Sequence, residues 1–331
     1  MSYQRHSTQT QIIYAAGSRA NPQAAAAYNV YNFSSWTPEI VEALNGGGIM
    51  GSAYPSAPIR GGRWSEIAFD MEVRGQYSVD DPPPEGSILR ACGCSENLVG
   101  STPNKTFTYI IADPHFYADG GSLDPMDDIT VNINNRQAIL LNLVGTGMEV
   151  DFVAGKIPMY KFQLRGKAPA AGSASAAGYT ETTQSVAAFP GKRGVPWAGA
   201  ALSVTGHTAT PSLVIKAVNF KAMPRVEARP DANSTSGYGI PIITGYDPRL
   251  NLRLEERLLT QSNPYTQFMA GTTLTVSWGY NTGGAVGSVL TCTFIGKLAE
   301  SPKSIESDGV LIHDLVLCQD PASAAFTMAW S

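Results

Sequence analysis

A chain of 331 residues is long enough for two ordinary domains, each able to bury its own core. Only 15% of the residues are charged, the formal net charge is −4, and Lys and Arg are scattered, so the chain lacks the basic face that duplex binding needs. No uncharged apolar run of about 18 residues reads as a membrane span, and Met1-Ser2-Tyr3-Gln4-Arg5-His6 is not a basic region leading into an apolar stretch, so no secretory signal is expected.

The first 24 residues are polar and Ala-rich and read as an extended or flexible arm. Glu66-Ile67-Ala68-Phe69-Asp70-Met71-Glu72-Val73 then alternates polar and apolar residues, as a half-buried strand does. In Pro82-Pro83-Pro84-Glu85-Gly86-Ser87-Ile88-Leu89-Arg90-Ala91-Cys92-Gly93, prolines at the start and glycine at the end bracket a short helix that groups Ile88, Leu89 and Cys92 on one face. Strands are expected at 106–111, 128–134, 138–144, 148–153 and 157–164, with Gly145-Thr146-Gly147 as a turn. Lys167 to Gly178 is small-residue linker near the midpoint. Beyond it the order returns. An alternating strand, Leu250-Asn251-Leu252-Arg253-Leu254-Glu255, precedes a helix from Pro264 to Gly271, and strands follow at 272–278, 288–295 and 310–317. The connections 34–63 and 224–245 are too long for simple hairpins and suit contacts with other chains.

Chemistry-bearing motifs are weak. Cys92-Gly93-Cys94 has no companion His or Cys cluster, so Cys92, Cys94, Cys292 and Cys318 read as buried free thiols rather than a zinc site. Asp113, His115, Asp119, Asp124, Asp127 and Asp128 read as a solvated acidic loop, since neither EF-hand nor H-x-x-x-H spacing is present. There is no Gly-x-Ser-x-Gly elbow. His313 lies in an apolar strand as a hydrogen-bonded structural histidine, His6 lies in the arm and His207 in a Thr-rich turn. Gly46-Gly47-Gly48-Ile49-Met50-Gly51 lacks the Lys-Ser/Thr of a phosphate loop. Carboxylates are numerous enough to leave a glycosidase pair open, but none is singled out. No catalytic, cofactor-binding or metal residue is therefore assigned, and no cofactor is expected.

A repeat organises the rest. Ala154-Gly155 followed by Ile157, Met159, Phe162 and Leu164 matches Asp308-Gly309 followed by Val310, Ile312, Leu315 and Leu317, with one residue of slack after the glycine. Val30-Tyr31-Asn32-Phe33 likewise matches Val218-Asn219-Phe220. Low charge, 33 glycines, 22 prolines and no long helical periodicity complete the expectation: a mainly β chain of two tandem sandwich or barrel domains, each with a short flanking helix, arising by internal duplication. The divisions are an arm at 1–24, a first domain at 25–166, a linker and connecting segment at 167–211, a second domain at 212–320 and a tail at 321–331.

Trp64 to Val73, Pro83 to Gly93 and Val150-Asp151-Phe152-Val153-Ala154-Gly155-Lys156-Ile157-Pro158-Met159-Tyr160-Lys161-Phe162 together resemble the major tail (tail tube) proteins of long-tailed bacteriophages. The specific match covers about 60–166, with Ile88 where the family has leucine and a longer acidic insert; from 212 to 319 the likeness is one of pattern. The resemblance implies a β-barrel or sandwich with a flanking helix, stacked as rings around a lumen through which DNA leaves. Such rings have six domain positions, so a duplicated chain implies a homotrimer with pseudo-sixfold symmetry, and a homohexamer is the alternative. It further implies a non-enzymatic virion protein, made in the host cytoplasm, that meets the tape measure, tail terminator and distal tail proteins and passes DNA without reading its sequence. Other functions left open are a decoration or fibre module and a virion-associated carbohydrate-active β-sandwich enzyme.

Overall fold

Strand alternation decides which side of each segment meets the core. Ile67, Phe69 and Met71 are buried while Glu66, Ala68 and Asp70 between them are partly exposed; the same rhythm runs through Leu250, Leu252 and Leu254. The computed structural model describes residues 62–74, 83, 85–100 (helix backbone alone at 87), 105–111, 143–166, 194–198, 202–205, 214–234, 237–239, 241–256, 263–282, 289–307, 309–320 and 326–331. It describes strand backbone alone at 10–15, 27–29, 33–44, 59–61, 128–133, 136–142, 167 and 180–181.

The chain is mainly β. It begins with β1 (Thr10–Ala15), β2 (Ala27–Asn29), β3 (Phe33–Leu44), β4 (Ile59–Glu72), α1 (Gly86–Ala91), β5 (Ser95–Val99) and β6 (Thr106–Ile111). There follow β7 (Asp128–Ile133), β8 (Arg136–Val153), β9 (Met159–Lys167), β10 (Thr180–Glu181), β11 (Leu202–Thr205), β12 (Ile215–Lys221), β13 (Pro224–Glu227) and β14 (Ile242–Tyr246). The remainder is β15 (Arg249–Glu255), α2 (Pro264–Ala270), β16 (Leu274–Asn281), β17 (Val289–Leu298), β18 (Lys303–Ser307), β19 (Val310–Gln319) and β20 (Phe326–Trp330).

Two antiparallel layers face each other. The first runs β3-β4-β9-β8-β12-β15-β19, with the end of β17 and then β18 along the far edge of β19. The second runs β11-β16-β17-β20-β6-β5. β17 belongs to both, and it turns at Gly296. A Cβ there would lie 2.2 Å from the Cys318 carbonyl oxygen, so glycine permits the close approach at this corner. One row of buried side chains crosses the first layer from Met71 through Tyr160, Val150, Phe220 and Leu250 to Leu317. Across the interior, Phe152 meets Trp278 edge-on at 5.9 Å, and Phe220 stacks on Phe326 at 3.6 Å. The start of β8 leaves this layer to pair with β7 and β10, and β7 in turn pairs with β1.

Both parts of the first layer have the same plan. In β3-β4-α1-β8-β9, β4 lies between β3 and β9, and β8 flanks β9. In β12-β15-α2-β17/β18-β19, β15 lies between β12 and β19, and β17/β18 flank β19. Gly155 and Gly309 open the closing strands at φ 75° and 77°, in the left-handed region where glycine costs least.

Several expectations need correction. Strands from both sides of 167–211 pair directly and share one core, rather than filling separate ones, because β8 bonds to β12 and β6 to β20. The expected linker and connecting segment contributes Trp197, which is buried and donates to the Gly279 carbonyl at 3.0 Å, and it also contains β11. The expected tail holds β20, a central strand of the second layer, with Phe326, Met328 and Trp330 fully buried. Gly145-Thr146-Gly147 is not a turn but an irregularity within continuous β8. A Cβ on Gly145 would lie 2.7 Å from Cys92 Cα, so the bulge lets the end of α1 sit against the strand. Of the long connection 34–63, much is β3 and β4; that at 224–245 begins in β13 and ends in β14, which pair. Ile157 precedes β9 and is only half-buried.

Leu315→Asp places an unpaired carboxylate among core residues and should cost more than about 4 kcal/mol, enough to abolish cooperative melting. Ile157→Asp should melt cooperatively at reduced temperature. Truncation after Asp320 should yield insoluble protein, because it removes β20; a soluble, cooperatively melting truncate would contradict the central placement of that strand.

Candidate functional site

The face of the first layer that points away from the core is a lattice of paired charges. It arises because alternate residues of each strand turn outward: Glu66 and Asp70 on β4, Lys161, Gln163 and Arg165 on β9, Glu149 and Asp151 on β8, and Asn219 and Lys221 on β12. Arg165 Nη2 is 2.7 Å from Glu66 Oε1. Lys161 Nζ bridges Glu149 Oε1 at 3.1 Å and Asp151, while Asn219 Nδ2 donates to the same two carboxylates, at 2.6 Å for Glu149. Lys221 lies 3.6 Å from Glu149, and Arg253 on β15 lies 3.4 Å from Asp314 on β19. Partial burial works to lower the Lys161 pKa, but its bonds to Asp151 and Glu149 win and hold it above the usual lysine range. Each of these pairs is partly exposed and stabilises modestly; their larger effect is to cancel one another's field.

An open groove of about 580 Å³ runs along this face beside the start of β13. Asp70, Glu149, Lys161, Lys221, Arg225 and Asp247 line it, and among the described residues no histidine, serine or cysteine does. Met223 walls it at φ 45°, a conformation costly for a side chain with a Cβ. At the other side Trp64 receives Arg165 over its face at 5.6 Å and Tyr238 edge-on at 5.8 Å. The chain between β13 and β14 is thereby fastened onto β4 and β9.

The residues weighed from sequence do not converge. His313 is buried on β19, but neither ring nitrogen has a hydrogen-bond partner; instead of the expected hydrogen-bonded histidine it packs edge-on to Tyr265 at 6.1 Å. Burial lowers its pKa, against the pull of Glu256. Cys92, Cys94 and Cys292 are buried free thiols and Cys318 is half-buried. Burial pushes Cys94 up to about 12, so it stays a thiol. The acidic loop, His6, His207 and Gly46–Gly51 lie outside the described residues, except for the Asp128 backbone in β7. Among the described residues no group of three or more His, Cys, Asp or Glu is placed to hold a metal, and no helix is long and apolar enough to cross a membrane. The outer-face pairs were missed, although the polar positions of the alternating strands carried the signal. No family model matches the chain, and no curated protein matches it.

The most perturbed carboxyl is away from that face. Glu85, just ahead of α1, is fully buried, and neither of its oxygens is hydrogen-bonded. Burial raises its pKa to about 8, against weaker opposing effects from the backbone, Tyr160 and Arg74. The folded chain therefore binds a proton that the unfolded chain has released, and wild-type stability should fall as pH rises from about 4.5 to about 8. Glu85→Gln removes this dependence and should be more stable than wild type at pH 9, by on the order of 3–5 kcal/mol. Denaturant melts at pH 5 and pH 9 test this; equal pH dependence in both proteins would contradict it.

Proposed function

We propose that this chain is a bacteriophage tail tube subunit, a structural virion protein that stacks as rings into the conduit for DNA. The observation that carries the proposal is the recurrence of one strand plan along a single layer. β4 and β15 each lie inside their run, each is followed by a short helix, and each pairs with a strand opened by a left-handed glycine. Coincidence of the buried positions Ile67, Phe69 and Met71 with Leu250, Leu252 and Leu254 supports an internal duplication. The runs join where β8 pairs with β12, and among the described residues β3 and β18 each pair on one side only. A copy that adds its β3 to the β17/β18 edge of the next repeats the internal join, covers open strand edges and generates a ring of three chains with six runs.

The charge-paired face is the wall suited to a conduit. Phosphates passing it meet carboxylates and cations already engaged with each other, so the wall neither repels strongly nor holds. Catalysis has no part in this reading, and the tape measure, tail terminator and distal tail proteins are the further partners it implies.

Electron microscopy of the purified chain should reveal rings or tubes with a central channel, and native mass spectrometry should count three chains per ring. Six chains per ring would refute the trimer, and a chain that stays monomeric at high concentration would refute the tube. Gln163→Lys with Asn251→Lys makes the outer face basic at positions outside the ion pairs. Variant tubes should retain a fluorescent single-stranded oligonucleotide at low salt that wild-type tubes release; equal retention would count against this face as the channel wall.

A further inference from the structure

The two helices hold matching places in the strand plan but differ in what covers them. α1 is sealed: Ile88, Leu89 and Cys92 are fully buried, and the β14 end of the following run lies across its C-terminus. Tyr246 Oη donates to the Cys92 carbonyl at 3.3 Å. At Gly93, the glycine that ends α1 with φ 85°, a Cβ would be 1.5 Å from Tyr246 Oη and 3.0 Å from Ile243 Cδ1. The segment inserted between β12 and β15 therefore covers the helix of the preceding run.

Among the described residues α2 has no such cover. Its terminal Gly271 has the same left-handed backbone, at φ 61°, yet a Cβ there would meet no described atom within 4 Å. Met269 is 82% exposed, and Tyr265, one turn earlier on the same side, is 37% exposed. Leu311 is 55% exposed and lies on β19 two residues from His313, against which Tyr265 packs. A methionine so exposed at the end of a helix whose counterpart is buried marks an unfilled contact.

We propose that the exposed face of α2 is the socket for the β3–β4 connection, residues 45–58, of a second copy of this chain. The inference rests on the ring reading above and adds its side-chain contact. β3 and β4 correspond to β12 and β15 in the strand plan, so residues 45–58 correspond to the β13–β14 insert that covers α1. The chemistry corresponds as well: this connection carries Ile49, Met50 and Tyr54, as the insert carries Ile243 and Tyr246. Among the described residues no further run pairs beyond β18. In a head-to-tail pair the first run of the neighbour follows the second, and its connection reaches α2 as the insert reaches α1.

Met269→Glu tests the socket, because a side chain this exposed can change without disturbing the fold. The variant should keep the wild-type melting temperature within a few degrees and lose ring formation by at least tenfold in the concentration required. A photoreactive benzoyl-phenylalanine at position 269 of otherwise wild-type rings should cross-link to residues 45–58 of another chain, mapped by peptide mass spectrometry. Wild-type rings together with unimpaired rings from Met269→Glu, or cross-links that map elsewhere, would overturn the socket and leave the tube reading standing. A wild-type chain that forms no rings at all would overturn both.

Discussion

The fold depends on the seam where β8 pairs with β12. Five residue pairs, from Ala217 opposite Val153 to Lys221 opposite Glu149, join the two four-strand runs into one layer. Beneath the seam Val150 and Phe152 meet Phe220 and Val218 in register, and all four are fully buried. Above it Asn219 donates to Glu149 and Asp151, the carboxylates that also hold Lys161. Core packing and surface charge pairing are therefore fixed by the same register. A slip of one residue would turn Phe220 outward and place Asn219 and Lys221 in the core, so the apolar pattern holds the charge lattice in place.

Much of the first layer was legible because its strands alternate on a two-residue period and its helices are bracketed by proline and glycine. β4, β15 and both helices follow from such local signals. At α2 the cap is complete, with Asn263 Oδ1 accepting from the Thr266 amide at 3.2 Å and Gly271 in the left-handed region. What escaped was non-local. Phe326-Thr327-Met328-Ala329-Trp330 alternates as plainly as any strand, but its pairing with β6 joins residues far apart in sequence, and no local signal reports that. Gly145 and Gly147 looked like a turn because turns and bulges both recruit glycine; only the approach of Cys92 to β8 distinguishes them. The candidate face escaped for a related reason. Glu66 and Arg165 are 99 residues apart, and they become a pair only once β4 lies beside β9.

Glu85 shows how the same core limits what the helix can tolerate. It stands just ahead of α1, close enough to Tyr109 and Tyr160 to act on both, and burial favours its neutral form. A neutral carboxyl costs far less there than a charged one, but its oxygens remain without hydrogen bonds. The nearby Arg74–Glu72 pair is different: both side chains are nearly inaccessible and 2.9 Å apart, so the charges compensate each other in place. The lone acid makes this end of α1 sensitive to protonation.

Among the described residues the two ends of the layer are not equivalent, and in the proposed ring that difference sets how copies would join. One end is β3, the start of a run; the other is β17/β18, the end of a run. Joining like ends would place two starts or two finishes together, a contact with no precedent inside the chain. Joining unlike ends reproduces the β8–β12 seam, including antiparallel pairing and a following insert over the preceding helix. Such a contact is heterologous, and each addition leaves the same two unlike ends until rotation brings the last copy to the first. The internal seam would set the rotation between successive runs of the proposed ring. In that ring the chain therefore carries its own template for closure, and the exposed face of α2 is where the first run of a neighbouring copy would dock as the β13–β14 insert docks on α1.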